Sequence, residues 1–333
     1  MRLIGTSAGA IDLQINGALG LSFNQVTAEN CHLIPDICAL LWQMGVDAFV
    51  PTLVTTCPTN LHRSMFYLSQ FVGKNHPQQA QIIGLHLEGP FLNPHKRGAH
   101  PLPYLQELNL ENIKTLLQDY TSIVKVITLA PELDPTGKSI AYLVNQGIVV
   151  SLGHSQADQE TTAIAIQQGA TMVTHVFNAM PSLHHRQVNL LTEALLNEHI
   201  YCGAIADGVH VHPRMIELLF RLKGNKLFLV SDALAPLGLP EGVYPWDQWH
   251  IRIERGTARL PDGTLAGTTL PLWQSVLNLV RWGICDLTTA IKTVTQTPCE
   301  ILGITLPDSL QWYAMADGSY KYCRFGQELS HFC

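Results

Sequence analysis

No stretch of this chain is apolar for long enough to span a membrane, and its start, Met1-Arg2-Leu3-Ile4-Gly5, lacks the apolar core of a signal peptide. The cytoplasm is therefore the expected location, with no membrane partner. Basic clusters are missing as well. Charged residues make up 14% of the 333 residues, the net charge is −6, and no Lys/Arg run stands out. A nucleic-acid partner is not expected, because phosphate-backbone binding needs a basic face. A small anionic substrate remains open, since one Arg and a few backbone N–H groups can hold a phosphate. None of the eight Cys forms a C-x-x-C pair, so their spacing reads as buried thiols rather than a disulfide framework. Internal repeats and low-complexity tracts are also lacking.

What is present is apolar bulk and histidine. Apolar residues reach 47%, enough for a large core, and there are 15 His. Short β-branched runs fall at 10–16, 46–51, 82–88, 124–129, 148–154, 172–177, 200–206 and 226–232. Helical patterns at 31–44, 61–72, 109–119, 156–168 and 213–222 lie between them, with Gly169 as a C-terminal cap for the fourth. Parallel strands need crossovers, and eight such units predict an α/β fold of the (β/α)8 TIM-like type. The barrel is expected over 9–300. It carries a β-hairpin insertion at about 241–268, turning at Pro261-Asp262-Gly263, and helices near 271–282 and 286–296. Residues 305–333 read as C-terminal strands of a small β-appendage.

Polar residues stand at the ends of the expected strands. Glu88, His154, His175 and Asp232 end strands three, five, six and eight; Gln14 and Asn16 are on strand one, and Asp207 follows strand seven. The C-terminal strand ends of a barrel converge on one mouth, where active sites lie. One carboxylate and two imidazoles form a catalytic zinc ligand set with a position left for water. Such an ion lowers the pKa of its water to roughly 7, and Asp232 is placed to accept the proton. Taken singly, a strand-end His is more often a hydrogen-bonded structural residue, a Glu before Gly-Pro a turn residue, and Asp232 a cap. The joint placement is what favours function.

Those residues sit in segments that resemble a known family. The segments are His86-Leu87-Glu88-Gly89-Pro90-Phe91-Leu92-Asn93-Pro94, Lys96-Arg97-Gly98-Ala99-His100, Gly153-His154-Ser155, Thr174-His175-Val176-Phe177-Asn178-Ala179-Met180, Ala206-Asp207-Gly208-Val209-His210, Ser231-Asp232-Ala233 and Gly263-Thr264-Leu265-Ala266-Gly267. In this order the chain resembles the N-acetylglucosamine-6-phosphate deacetylases of the amidohydrolase superfamily. The resemblance implies Glu88, His154 and His175 as metal ligands, Asp232 as general base and acid, and His100 as a contact to the substrate amide carbonyl. It implies Asn178 and Ala179 as a cradle for the sugar phosphate, and Arg186 and His210 as further phosphate contacts. In dimers of the family such groups can come from the neighbouring subunit. Ala99, Asp207, Leu265, Ala266 and Gly267 match positions lining the sugar pocket. The implied reaction is hydrolysis of N-acetyl-D-glucosamine 6-phosphate to D-glucosamine 6-phosphate and acetate, by a homodimer.

Two departures shape the expectation. Many amidohydrolases begin with His-x-His on strand one, which supplies a second metal. Here the stretch is Gln14-Ile15-Asn16, and neutral amides are poor zinc ligands, so one divalent ion per subunit, Zn2+, is expected. Family members also carry a longer segment ahead of this strand, half of a small β-sandwich, and that half is expected to be missing. Rival readings are a deacetylase for the galactosamine epimer, a cyclic-amide hydrolase, and a non-catalytic barrel that binds sugar phosphates.

Overall fold

Eight parallel strands follow one another in chain order: Ala10–Ile15, Val46–Val54, Leu85–Glu88, Val124–Leu129, Val149–Leu152, Met172–Val173, Tyr201–Ala204 and Leu227–Leu229. The computed structural model describes residues 1–246, 249–324, 327 and 328. The ring closes between the last strand and the first at the mouth. There Asp232 N–H donates to the Gln14 carbonyl at 2.9 Å and Ala233 bridges Ile15. Lower down, Val294 and Thr293 fill the seam by accepting from Ile11 N–H and Leu229 N–H. This is the expected (β/α)8 architecture.

Side-chain polarity begins the helices between strands. Asn109, Asp158, Asn189 and Asp286 each accept a backbone N–H of the following first turn. Asp158 explains why the helix expected from 156 starts at Gln159. Helices at Lys138–Asn145 and Leu190–Leu196 add to those expected.

Strand alternation sorts the barrel interior into layers. The floor is apolar, built from Ile11, Ala48, Val126, Met172 and Phe228. Gly203 leaves space for Phe228, because a Cβ there would lie 2.7 Å from its ring. Above the floor the interior turns polar. His86 Nδ1–H donates to the Leu13 carbonyl at 3.1 Å, and His86 Nε2 meets the Thr128 hydroxyl at 2.8 Å. Thr128 pairs with Thr174 at 2.7 Å, and Thr174 with Ser151 at 2.5 Å. Burial pushes His86 down to about 4, so it is neutral and its two nitrogens take opposite roles. The ionisable residues of the mouth rest on this layer.

Two four-stranded sheets and a two-stranded one, Gly17–Ala18 with Leu21–Ser22, complete the described residues. The insertion read as a hairpin is a four-stranded antiparallel meander, Gly242–Trp246, Trp249–Glu254, Thr257–Arg259 and Leu265–Thr268, because Gly256 and the turn at 260–264 reverse the chain twice more. Residues 247–248 of it lie outside the described residues. The tail strands Leu310–Ala314 and Tyr320–Arg324 pair with Gln327–Glu328 on one side and with Arg2–Ser7 on the other. The N-terminus thus supplies a strand to the sheet expected from the C-terminal segment alone. Residues 325–326 and 329–333 of that segment lie outside the described residues. Among the described residues, no helix is long and apolar enough to cross a membrane.

Candidate active site

Three side chains converge where the polar layer meets the mouth. Glu88 Oε1 lies 3.1 Å from His154 Nε2 and 3.1 Å from His175 Nε2, and the two nitrogens are 3.0 Å apart. All three residues are buried. The backbone explains how side chains from separate strands meet. Strands five, six and eight stop two or three residues before His154, His175 and Asp232, which adopt left-handed φ values of 50°, 28° and 46°. Non-glycine residues seldom take this conformation, and where they do it commonly marks a working site.

His154 Nδ1–H donates to the Lys96 carbonyl at 2.8 Å, which leaves the Nε2 lone pair facing Glu88. His175 Nδ1 is buried without a hydrogen-bond partner among the described residues. One carboxylate oxygen and two imidazole nitrogens thus meet within 4.8 Å of one another, a donor set suited to a divalent cation. Burial alone would raise Glu88. The imidazoles of His154, His175 and His100 around it outweigh that and hold its carboxyl well below the usual range.

The amides of strand one lie between the two carboxylates of the mouth. Gln14 Nε2 donates to Glu88 Oε1 at 3.2 Å and to Asp232 Oδ1 at 3.3 Å, and Asn16 Nδ2 donates to Asp232 Oδ1 at 2.8 Å. Both carboxylates thus face N–H donors, which bind anions rather than cations. Burial, and then the charge of Glu88, raise Asp232 above the ordinary aspartate range. His100 is pushed down to about 3 by burial and by His154. Its Nδ1 faces the Thr55 hydroxyl at 2.9 Å and the Thr55 N–H at 3.4 Å.

A cavity of about 560 Å³ opens above the cluster. Glu88, Ala99, His100, His154, His175, Asn178, Ala179, His210, Asp232, Leu265 and Ala266 line it. Three expected residues do not. Asp207 stands behind His210, accepting its Nδ1–H at 2.6 Å and two backbone N–H groups. Burial would raise Asp207, but His210 holds its carboxyl down. Gly267 backs the Asp232 carbonyl, where a Cβ would come within 2.6 Å. Arg186 lies on the exposed loop 182–188 with its guanidinium 2.6 Å from His185 Nε2. Thr55, Lys96, Trp246 and Arg259 also line the cavity, and the sequence alone assigns them no role. A lone Thr or Trp carries no spacing signal, and only the meander's fold brings Trp246 and Arg259 to the mouth.

A parallel barrel with a Glu–His–His cluster and a separate carboxylate at its C-terminal mouth defines a class, the metal-dependent amidohydrolases. No protein-family model matches the chain. It is 36% identical over 318 residues to the N-acetylglucosamine-6-phosphate deacetylase of Mus musculus, covering 93% of this chain and 77% of that protein. To the enzyme of the same name from Vibrio furnissii it is 34% identical over 298 residues, covering 89% and 73%. The Pasteurella multocida deacetylase structure superposes with a TM-score of 0.84 at 29% identity, over 95% of this chain and 84% of that one. A mutant of the Mycobacterium smegmatis enzyme, solved in complex with N-acetyl-D-glucosamine-6-phosphate, gives 0.85 at 28% identity, over 97% and 86%. The chain belongs to the N-acetylglucosamine-6-phosphate deacetylase family.

Proposed function

We infer that this protein hydrolyses the acetamide of N-acetyl-D-glucosamine 6-phosphate, releasing acetate and D-glucosamine 6-phosphate. The observation that carries the reading is the junction of the Glu88–His154–His175 cluster with Asp232, joined through Gln14 in one cavity. Glu88, His154 and His175 hold one divalent ion, for which zinc suits the ligand set. When bound, that ion supplies Lewis acidity and a water of lowered pKa.

The chain's own groups do the rest. Asp232 takes a proton from the attacking water and returns it to the departing amine, a division of labour worth roughly 10²–10⁴ in rate. Its raised pKa suits a group that must both accept and give. With Thr55 N–H donating to Nδ1, neutral His100 carries its proton on Nε2 and donates it to the carbonyl oxygen as negative charge develops. Asn178, Ala179 and His210 hold the phosphate within one subunit, with Ala99, Leu265 and Ala266 against the sugar. Asp207 orients His210, and Gly267 supports Asp232. Arg186 serves the cavity of a second copy in a cytoplasmic homodimer. Arg186 does not line its own cavity, and Leu183 and Val188 beside it are exposed, which supports that assignment.

The test measures acetate release from N-acetylglucosamine 6-phosphate, its galactosamine epimer and the unphosphorylated sugar, together with metal content. Turnover on the glucosamine phosphate with one ion per chain is expected. One ion per chain with no acetate from any substrate would instead mean a sugar-phosphate binding barrel.

A further inference from the structure

The loops after strands three, four and five are tied at one carboxylate outside the cavity. Glu132, in the turn Pro131–Leu133 after strand four, accepts hydrogen bonds from Asn93 Nδ2 at 2.8 Å, Gln156 N at 2.5 Å and Ser155 Oγ at 2.7 Å. Asn93 belongs to the loop that follows Glu88, while Ser155 and Gln156 directly follow His154. Asn93 also gives its backbone N–H to the His154 carbonyl at 2.9 Å and accepts Lys96 N–H on its own carbonyl at 2.9 Å. The Lys96 carbonyl takes the Nδ1–H of His154. His154 is thus held by backbone and ring to the turn 93–96, and Glu132 fastens that turn to the residues after His154.

His154 needs such a frame. A left-handed φ at a non-glycine residue costs on the order of 1–3 kcal/mol and persists only where its surroundings over-determine it. Hydrogen bonds to a carboxylate are stronger than neutral ones, and two of the donors, Asn93 and Ser155, are buried.

We propose that Glu132 is a positioning residue for the reaction: it fixes the loop that aims His154 Nε2 at Glu88 and His175. The proposal rests on the reading of that cluster as a metal centre. It is tested with cobalt(II)-loaded protein and Glu132→Gln, which keeps the side chain's size but sets an NH2 donor against one of the three donors. Cobalt should dissociate roughly 10–100-fold more readily, with an altered visible absorption. kcat should fall by a similar factor while KM stays within about threefold. A wild-type cobalt spectrum, affinity and kcat in Glu132→Gln would overturn the role. If that variant does not fold, Ser155→Ala removes one arm, and an unchanged spectrum and affinity there would overturn it equally. Failure of the unsubstituted protein to bind cobalt would strike the metal reading itself, and the Glu132 role with it.

Discussion

Glu88 and Asp232 are two buried carboxylates joined by one amide, and their neighbours drive them in opposite directions. Burial raises both, but Glu88 receives two imidazoles while Asp232 faces the charge of Glu88. One is suited to stay ionised as a ligand and the other to trade a proton, the pattern by which acid–base roles are divided. Asp232→Asn should lower kcat by about 10²–10⁴. The ion content per chain should not change, because Asp232 lies outside the ligand cluster. Near-normal acetate release with the ion still bound would exclude the role. A third buried acid, Asp12, makes a different prediction. Burial raises it to about 7, against the offsetting donors Ser231 and Gln14. The folded chain therefore keeps a proton that the unfolded chain loses near pH 4, so stability falls as pH rises from about 4 to about 7. Holding that proton across the window is worth about 4 kcal/mol, all of it lost above pH 7. Asp12→Asn keeps an acceptor and removes the charge. Its urea midpoint should be flatter across that window and exceed the unsubstituted protein's at pH 8; an unchanged slope would assign the pH dependence to another group.

At the scale of elements, the strand positions were legible because each falls within a short apolar run, and the mouth residues were legible because they end those runs. The exact ends were not. His154, His175 and Asp232 leave the strand pattern through left-handed backbone, which composition does not mark. The short helices at 138–145 and 190–196 carry too few turns for a clear period. Thr55, Glu132, Trp246 and Arg259 act through contacts between distant loops, and no local pattern encodes those. The meander is also mechanically coupled to the site. Gly267 sits at φ 146° on its fourth strand, with no room for a Cβ against the Asp232 carbonyl. Gly267→Ala should displace that backbone. A shift of even a fraction of an ångström at a catalytic group is costly, so kcat is expected to fall by at least about tenfold, with about 1–3 kcal/mol of stability lost. Kinetics and thermal unfolding of the variant check both, and unchanged kcat would mean that the meander yields without moving Asp232.

At the scale of the whole molecule, the two chain ends are fastened to the barrel at the end opposite the cavity. Arg324, buried on the second-last tail strand, places Nη1 2.5 Å from Asp47 Oδ1 and donates to the carbonyls of Trp42 and Val46. Its guanidinium also lies over the Trp42 ring. Asp47 Oδ2 accepts from Gly9 N–H and the Ser309 hydroxyl, so one ion pair joins the N-terminal segment, the second barrel strand and the tail. The rings of Trp273, Trp312 and Tyr322 pack beside it. These partners are hundreds of residues apart, which is why the sheet uniting both ends was not readable from local sequence. A buried pair broken on one side leaves an uncompensated charge, at a cost of about 3–5 kcal/mol. Arg324→Met should therefore lower the urea midpoint strongly. The double change Arg324→Met with Asp47→Leu should recover part of the loss, because neither charge is then stranded. Asp47 lies seven residues below Val54 on the second strand, ~20 Å from the mouth at the rise of a β-strand. Below the unfolding transition, KM and ion content should thus match the unsubstituted protein. A change in either would show that the lower seam of the barrel transmits strain to the Glu88 cluster.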